Sequence, residues 1–213
     1  MTIRSNFIFL LALLFGFILG CEPPSSQAAR EDYEVAKKHA EQKHAAMSKE
    51  KELAESIAKQ GQRLVAVMSP TAGNQAHGTV TFTMDGDHAG GVLVEAFIHG
   101  LTPGDHAIHI HQYGDLRKED GKGTGGHYNP EGHAHSLPTS EIRHAGDLGN
   151  LTADTEGTAK YSIRIHNVTL DGSHNPIIGR GVIIHAKVDD GGQPTGNAGP
   201  RVSQGVIGYA KPE

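Results

Sequence analysis

The sequence predicts an all-β domain, an eight-stranded Greek-key β-barrel or sandwich with one long loop, preceded by a helical spacer. Three observations lead there. From about Gln62 to Ala210, short runs alternate apolar and polar residues with the two-residue period of half-buried strands. Glycine is abundant at 28 residues while tryptophan is absent and aromatics reach only 5%, a composition suited to short strands joined by many turns. The stretch before Gln62 reads differently, first apolar and then rich in Lys, Glu and Ala. These changes divide the chain into residues 1–20, 21–61 and 62–213.

In the first region Arg4 supplies a small positive segment, and Phe7 to Leu19 form an uninterrupted apolar run. The run is shorter than the roughly 20 residues a membrane-spanning helix needs, so it reads as a cleaved signal peptide. Ile18-Leu19-Gly20-Cys21 resembles a bacterial lipoprotein cleavage box, which implies an exported, periplasmic or cell-surface protein held to a membrane through lipidated Cys21. Cys21 is the only cysteine, so the folded domain has no disulfide within the chain. Glu22 to Ala29 reads as linker, and Arg30 to Gln60 as a helix with Glu34 and Lys38 at pairing distance and Gly61 as its stop. Its apolar positions, Val35, Met47, Leu53 and Ile57, are too sparse for a coiled coil. It is therefore expected to be a solvated spacer, with His39 and His44 on its surface. A net charge of -5 without a basic block argues against a nucleic-acid partner.

Within the third region, strands are expected at Arg63 to Met68, Thr79 to Met84 and Val92 to Ile98, with Val80, Phe82 and Met84 on one face of the second. Gly104-Asp105 reads as a turn before a strand from Ala107 to Tyr113. Further strands are expected at Asp147 to Leu151, Ala159 to Ile165, Gly181 to Lys187 and Gly205 to Ala210. Between them lies Gly114 to Ala145, too long to be structureless inside a compact domain unless something orders it. A bound metal would do so.

Histidine is the compositional anomaly, with 15 residues. His109 and His111 flank Ile110 in a predicted strand, so both imidazoles point to one face while Ile108 and Ile110 point to the other. His127, His144 and Asp147 lie in or beside the long loop with either His133 or His135, a three-imidazole, one-carboxylate set suited to tetrahedral zinc. His185 ends the apolar run Val182-Ile183-Ile184 and can join His109 and His111 in a set suited to copper(II). His106 falls in the predicted turn, and His77, His88, His99, His166 and His174 have no cluster partners, so all six are expected at the surface.

The segments His-Ile-His-Gln-Tyr-Gly-Asp at 109–115, Gly-His-Tyr-Asn-Pro at 126–130 and Arg-His-Ala-Gly-Asp-Leu-Gly-Asn at 143–150 are similar to the copper/zinc superoxide dismutase family. So are Ile-Ile-Gly-Arg at 177–180, Gly-Asn-Ala-Gly-Pro-Arg at 196–201 and Gly-Val-Ile-Gly at 205–208. The resemblance covers about Arg63 to Ala210 and implies an oxidoreductase that converts superoxide to dioxygen and hydrogen peroxide by cycling copper beside a structural zinc. It implies copper at His109, His111, His127 and His185, and zinc at His127, His135, His144 and Asp147, with His127 shared and the spacing favouring His135 over His133. It assigns Asp189 to hydrogen bonds with one histidine of each set, and Arg201, with His127, to the catalytic groups.

Three departures or extensions follow from the resemblance. The family's charged loop corresponds to Ala186 to Pro200, which holds only Lys187 as a cation, so Arg117, Lys118 and Lys122 are the candidates for steering an anion. The family's usual disulfide falls at Gly121 and Gln204, which leaves zinc as the expected source of loop order. Tyr113, Ile178, Val206 and Tyr209 resemble positions that form a homodimer interface. The alternative is a non-enzymatic copper-binding or copper-chaperone module of the same fold; such a module is expected to lose a copper ligand or the arginine, and this sequence keeps both.

Overall fold

A computed structural model describes residues 27–59, 63–84 and 91–211. Arg4, the apolar run, Cys21, Gly61, the Gln62 boundary and His88 lie outside the described residues. Two compact units divide between Glu55 and Ser56.

Helix α1 spans Gln27–Lys59. It starts earlier than Arg30 because Gln27, Ala28 and Ala29 are themselves good helix formers with no breaker before Arg30, so the linker is shorter than expected. Val35 and Met47 are 58% and 49% exposed. His39 and His44 are exposed as well. Among the described residues no helix is long and apolar enough to cross a membrane.

The second unit is a closed antiparallel barrel. Its strands are β1 (Arg63–Pro70), β2 (His77–Met84), β3 (Val92–His99), β4 (Gly104–His111), β5 (Asp147–Ala153), β6 (Ala159–Ile165), β7 (Gly181–His185) and β8 (Arg201–Tyr209). Around the barrel the order is β1-β2-β3-β6-β5-β4-β7-β8, and β8 returns to β1 through pairs such as Leu64 with Tyr209. The neighbours β3 with β6 and β4 with β7 make the Greek key, because the connections between β3 and β4 and between β6 and β7 must cross the barrel ends. Alternation fills the interior: Leu64, Phe82, Ile98, Ile108, Ile110, Leu148, Leu151 and Ile184 are fully buried, as are nearly all of Met68 and Met84. Each such side chain contributes about 1.5–3 kcal/mol by leaving water.

Strand β4 differs from expectation in place. Gly104 already pairs with Ala153, so the turn lies one step earlier, and Tyr113 falls beyond the strand end at 58% exposure. His109 and His111 are buried along with Ile108 and Ile110, because the barrel core covers one face of β4 and the long loop covers the other. Strand β8 starts at Arg201 rather than Gly205; Arg-Val-Ser-Gln lacks strong alternation, but β7 pairs with Arg201 to Gln204 and β1 with Ser203 and Gln204. Likewise β7 stops at His185, where its register against β8 shifts.

The long loop has its own backbone frame. His111 bridges to His127, and Ile110 exchanges hydrogen bonds with the loop at both ends, from its N–H to Gly146 O at 2.9 Å and from Tyr128 N–H to its carbonyl at 2.8 Å. A short 3-10 turn at Lys122–Thr124 follows Gly121. Metal is thus not the sole source of order here.

Candidate metal centre

Antiparallel pairing of β4 with β7 brings His185 beside the His109 and His111 pair, and the loop bridge adds His127 from above. Ring centroids lie 5.1 Å apart for His109 and His185, 5.7 Å for His111 and His185, 3.9 Å for His109 and His127, and 5.2 Å for His111 and His127. His127 belongs equally to a second group with His135, His144 and Asp147, and in each group one ligand atom per residue lies within 4.8 Å of the others. The Asp147 carboxylate sits 2.9 Å from His127 Nδ1, 3.2 Å from His144 Nδ1 and 3.0 Å from His135 Nδ1. Every member of both groups is buried.

The hydrogen bonds at the back of each ring decide which nitrogen faces inward. His111 Nδ1–H donates to Gly125 O at 3.0 Å and His185 Nδ1–H to Gly199 O at 3.1 Å. His109 and His135 donate from Nε2 to the two oxygens of Asp189, each at 2.9 Å. Carbonyls and carboxylates only accept, so the opposite nitrogens carry lone pairs. Those atoms are His111 Nε2, His185 Nε2, His109 Nδ1 and His135 Nδ1, and all four are buried without a hydrogen-bond partner. Buried, unpaired lone pairs converging on one another are costly unless a cation receives them. The donor sets fit copper and zinc.

Burial keeps His109, His111, His144 and His185 in the neutral, ligand form. It lowers His109 to about 4 against the opposing bond with Asp189, and lowers His185 to about 3. His111 is held well below its ordinary value by burial and by its charged neighbours. For Asp147 and Asp189, burial pushes the carboxyls up, but hydrogen bonds outweigh it and hold both below the usual range.

Of the two candidates in the loop, His135 is buried and faces Asp147 and Asp189, whereas His133 is half-buried and turns to Arg143 O and Glu131. The expectation for His106 is corrected. It is 3% exposed within β4, with Nδ1 at 2.8 Å from His185 O and Nε2 at 2.8 Å from Thr102 O, tying the end of β7 to the start of β4. His77 is exposed as expected and His99 is half-buried, but the two are not without a histidine partner, for they face each other across β2 and β3. His166 and His174 are exposed as expected.

Three supporting residues escaped the sequence reading. Asn150 and Asp189 exchange bonds, from Asn150 Nδ2 to Asp189 O at 2.9 Å and from Asp189 N to Asn150 Oδ1 at 2.7 Å. Gln193 grips the backbone of His135 at both N and O. At Gly196, with φ of +75°, an added Cβ would fall 2.1 Å from Asp189 Oδ1 and 2.9 Å from His135 Nε2. The carboxylate needs that space.

Arg201 approaches the histidine groups from β8. Its NH1 donates to Gly121 O at 2.6 Å and Thr124 Oγ1 at 3.0 Å, and its NH2 to Gly125 O at 2.7 Å. It borders a cleft of about 470 Å³ with Thr71, Asn74, Asp120, Lys122 and Gly199. Lys122 pairs with Asp120 at 3.1 Å, and Arg117 with Asp115 at 2.7 Å, so two of the steering candidates are locally balanced by carboxylates.

Residues 76–207 match the family model for copper/zinc superoxide dismutase (SODC). The chain belongs to the copper/zinc superoxide dismutase family. It is accordingly an oxidoreductase whose cofactors are copper and zinc and whose substrate is superoxide, and His109 through Arg201 all lie within the matched segment. At the two positions that the resemblance assigns to a disulfide, Gly121 takes a left-handed φ of 76° and Gln204 is buried, its Nε2 donating to Lys118 O at 3.4 Å. A Cβ at Gly121 would approach Arg201 Cδ to 3.1 Å.

Proposed function

We propose that the protein dismutes superoxide with copper held by His109, His111, His127 and His185 and zinc held by His127, His135, His144 and Asp147. The membership of His127 in both groups carries this reading. Its Nδ1 faces Asp147, which leaves Nε2 for the other group, so one deprotonated ring can join two cations. Copper held there would supply one-electron transfer in both directions, and zinc would supply positive charge without redox chemistry. The balance is two superoxide and two protons giving one dioxygen and one hydrogen peroxide.

The chain's own groups bind, orient and protonate. Arg201 holds the anion by charge-assisted hydrogen bonds, its guanidinium fixed by Gly121, Thr124 and Gly125 so that no side-chain entropy is lost on binding. His127 is the proton carrier beside the bound anion. Asp189 fixes the tautomers of His109 and His135 together.

Residues 1–20 act as the signal peptide, residues 21–61 as lipid-anchored linker and spacer, and residues 62–213 as the catalytic domain, with Cys21 acylated at a periplasmic or cell-surface membrane. One acyl chain binds only marginally, so firm attachment implies more than one chain on Cys21. The domain also forms a homodimer. Supporting this, Tyr113 and Tyr209 are 58% and 69% exposed, and Ile178 and Val206 are half-buried.

Metal analysis beside a superoxide-decay assay tests the centre. Wild type is expected to hold one copper and one zinc per chain with activity, and His127→Ala to lose activity and both metals' native affinity. Full activity in His127→Ala would refute the shared ligand. For the anchor, Cys21→Ser is expected to move the protein from the membrane to the soluble fraction, and wild type found wholly soluble without lipid mass would refute it.

A further inference from the structure

Among the described residues outside the central groups, His77 and His99 are paired like the histidines of a metal site. His77 opens β2 and His99 closes β3, and the two are directly opposed in the antiparallel register. On both strands the alternate positions face the core, namely Val80, Phe82 and Met84 on β2 and Val92, Val94, Ala96 and Ile98 on β3, so His77 and His99 share the outward face. His77 is exposed and His99 half-buried, and their ring centroids are 5.8 Å apart with planes tilted by 35°. The three rings of the β4 and β7 group lie 5.1 to 6.4 Å apart, so the outer pair has the spacing of histidines that converge on one ion.

The tautomers point the same way. His77 Nδ1 lies 2.8 Å from Gln75 O, which can only accept, so the proton is on Nδ1 and the lone pair on Nε2. His99 Nδ1 lies 3.1 Å from Thr158 Oγ1, which can accept its proton in the same way, and Phe97 packs edge-on against the His99 ring at 4.5 Å. A ring tied at one nitrogen to a backbone oxygen or hydroxyl offers its other nitrogen as a ligand. His111 and His185 in the central group are prepared by the same Nδ1 contact to a carbonyl.

We propose that His77 and His99 form an accessory surface site for a divalent transition-metal ion, copper(II) foremost, with two imidazole nitrogens from the protein and the remaining positions filled by water. Copper(II) is favoured because, for a given nitrogen donor set, it binds most tightly of the divalent first-row ions. The site gives the outer wall of the barrel a place where copper rests without occupying the catalytic position.

The test is a copper(II) titration of the untagged full chain whose central sites already hold copper and zinc, followed by calorimetry and electron paramagnetic resonance. Wild type is expected to take up one further equivalent with a two-nitrogen signature. His77→Gln and His99→Gln should each weaken that uptake by about tenfold or more, and Thr158→Val should weaken it less. Dismutase activity and thermal midpoint of the loaded variants should equal wild type, which separates loss of the site from loss of the fold. The proposal is overturned if wild type binds no further copper, or if the further equivalent persists unchanged in the His77→Gln/His99→Gln double variant. Loss of that equivalent on replacing His39 and His44 instead would place it on α1 and equally overturn it.

Discussion

Asp189 touches one histidine of each metal group, and its carboxylate survives there only because position 196 has no side chain. Gly196→Ala is therefore expected to push the carboxylate away and weaken copper and zinc retention together, by roughly ten- to a hundredfold in affinity, measured by competition with a chelator. His133→Ala should leave both metals bound, since His133 turns to Arg143 O and Glu131; loss of zinc in that variant would reverse the assignment of His135. A third substitution addresses substrate approach. Asp120→Asn releases Lys122 beside the Arg201 cleft, and kcat/KM at low salt should rise by roughly two- to threefold, the gain vanishing at high ionic strength. At this scale the candidate ligands were in view before the structure, His109, His111 and His185 through the strand period and the apolar run before His185, and His127 through the family resemblance, and the fold gathers the four. The sequence left Asn150, Gln193, Gly196 and His106 unread, because their roles consist of contacts between segments far apart in the chain and carry no local pattern.

Among the elements, the strands were legible wherever one face is apolar, as in β2, β3 and β6, and were misplaced where pairing rather than hydropathy sets the end, as at Arg201 in β8. The loop between β4 and β5 was the hardest to read, since its order comes from backbone bonds to Ile110 and from Arg201, whose three bonds to Gly121, Thr124 and Gly125 tie it to the barrel where the family bridge is absent. Arg201→Ala is thus expected to loosen residues 114–126 to protease as well as to cut activity, at a cost of about 1–3 kcal/mol in loop stability. Arg201→Lys should restore charge but not loop order, because a single ammonium cannot span those partners. Reducing agent should leave the thermal midpoint unchanged, whereas stripping zinc should lower stability by several kcal/mol. A midpoint unmoved by zinc removal would mean that the backbone frame alone holds the loop.

For the whole molecule, the ring closes with β5 and β6 joined only at Ala153 and Ala159 and every other seam paired over several residues, and the proposed dimer would use exposed side chains such as Tyr113 and Tyr209. Sedimentation at micromolar concentration should give a dimer, and replacing both tyrosines by aspartate should give a monomer of unchanged activity per chain. Acid response is a second global property. In metal-free protein His109 and His185 fold with values of about 4 and about 3 against an ordinary 6.5, so the unfolded chain binds their protons first. Stability should be full above pH 6.5 and fall by a few kcal/mol as pH drops through 6.5 toward 3, followed by denaturant titration.

The same barrel also governs how the protein withstands its own product. Hydrogen peroxide attacks exposed sulfur first, and residues 63–211 contain no cysteine. The two methionines of the barrel, Met68 and Met84, are 2% and 6% exposed, whereas Met47 on α1 is 49% exposed. Peptide mapping after peroxide treatment should find sulfoxide at Met47 well before either barrel position, with activity retained while the spacer is modified. Oxidative wear of sulfur then falls on the part of the chain that does no chemistry.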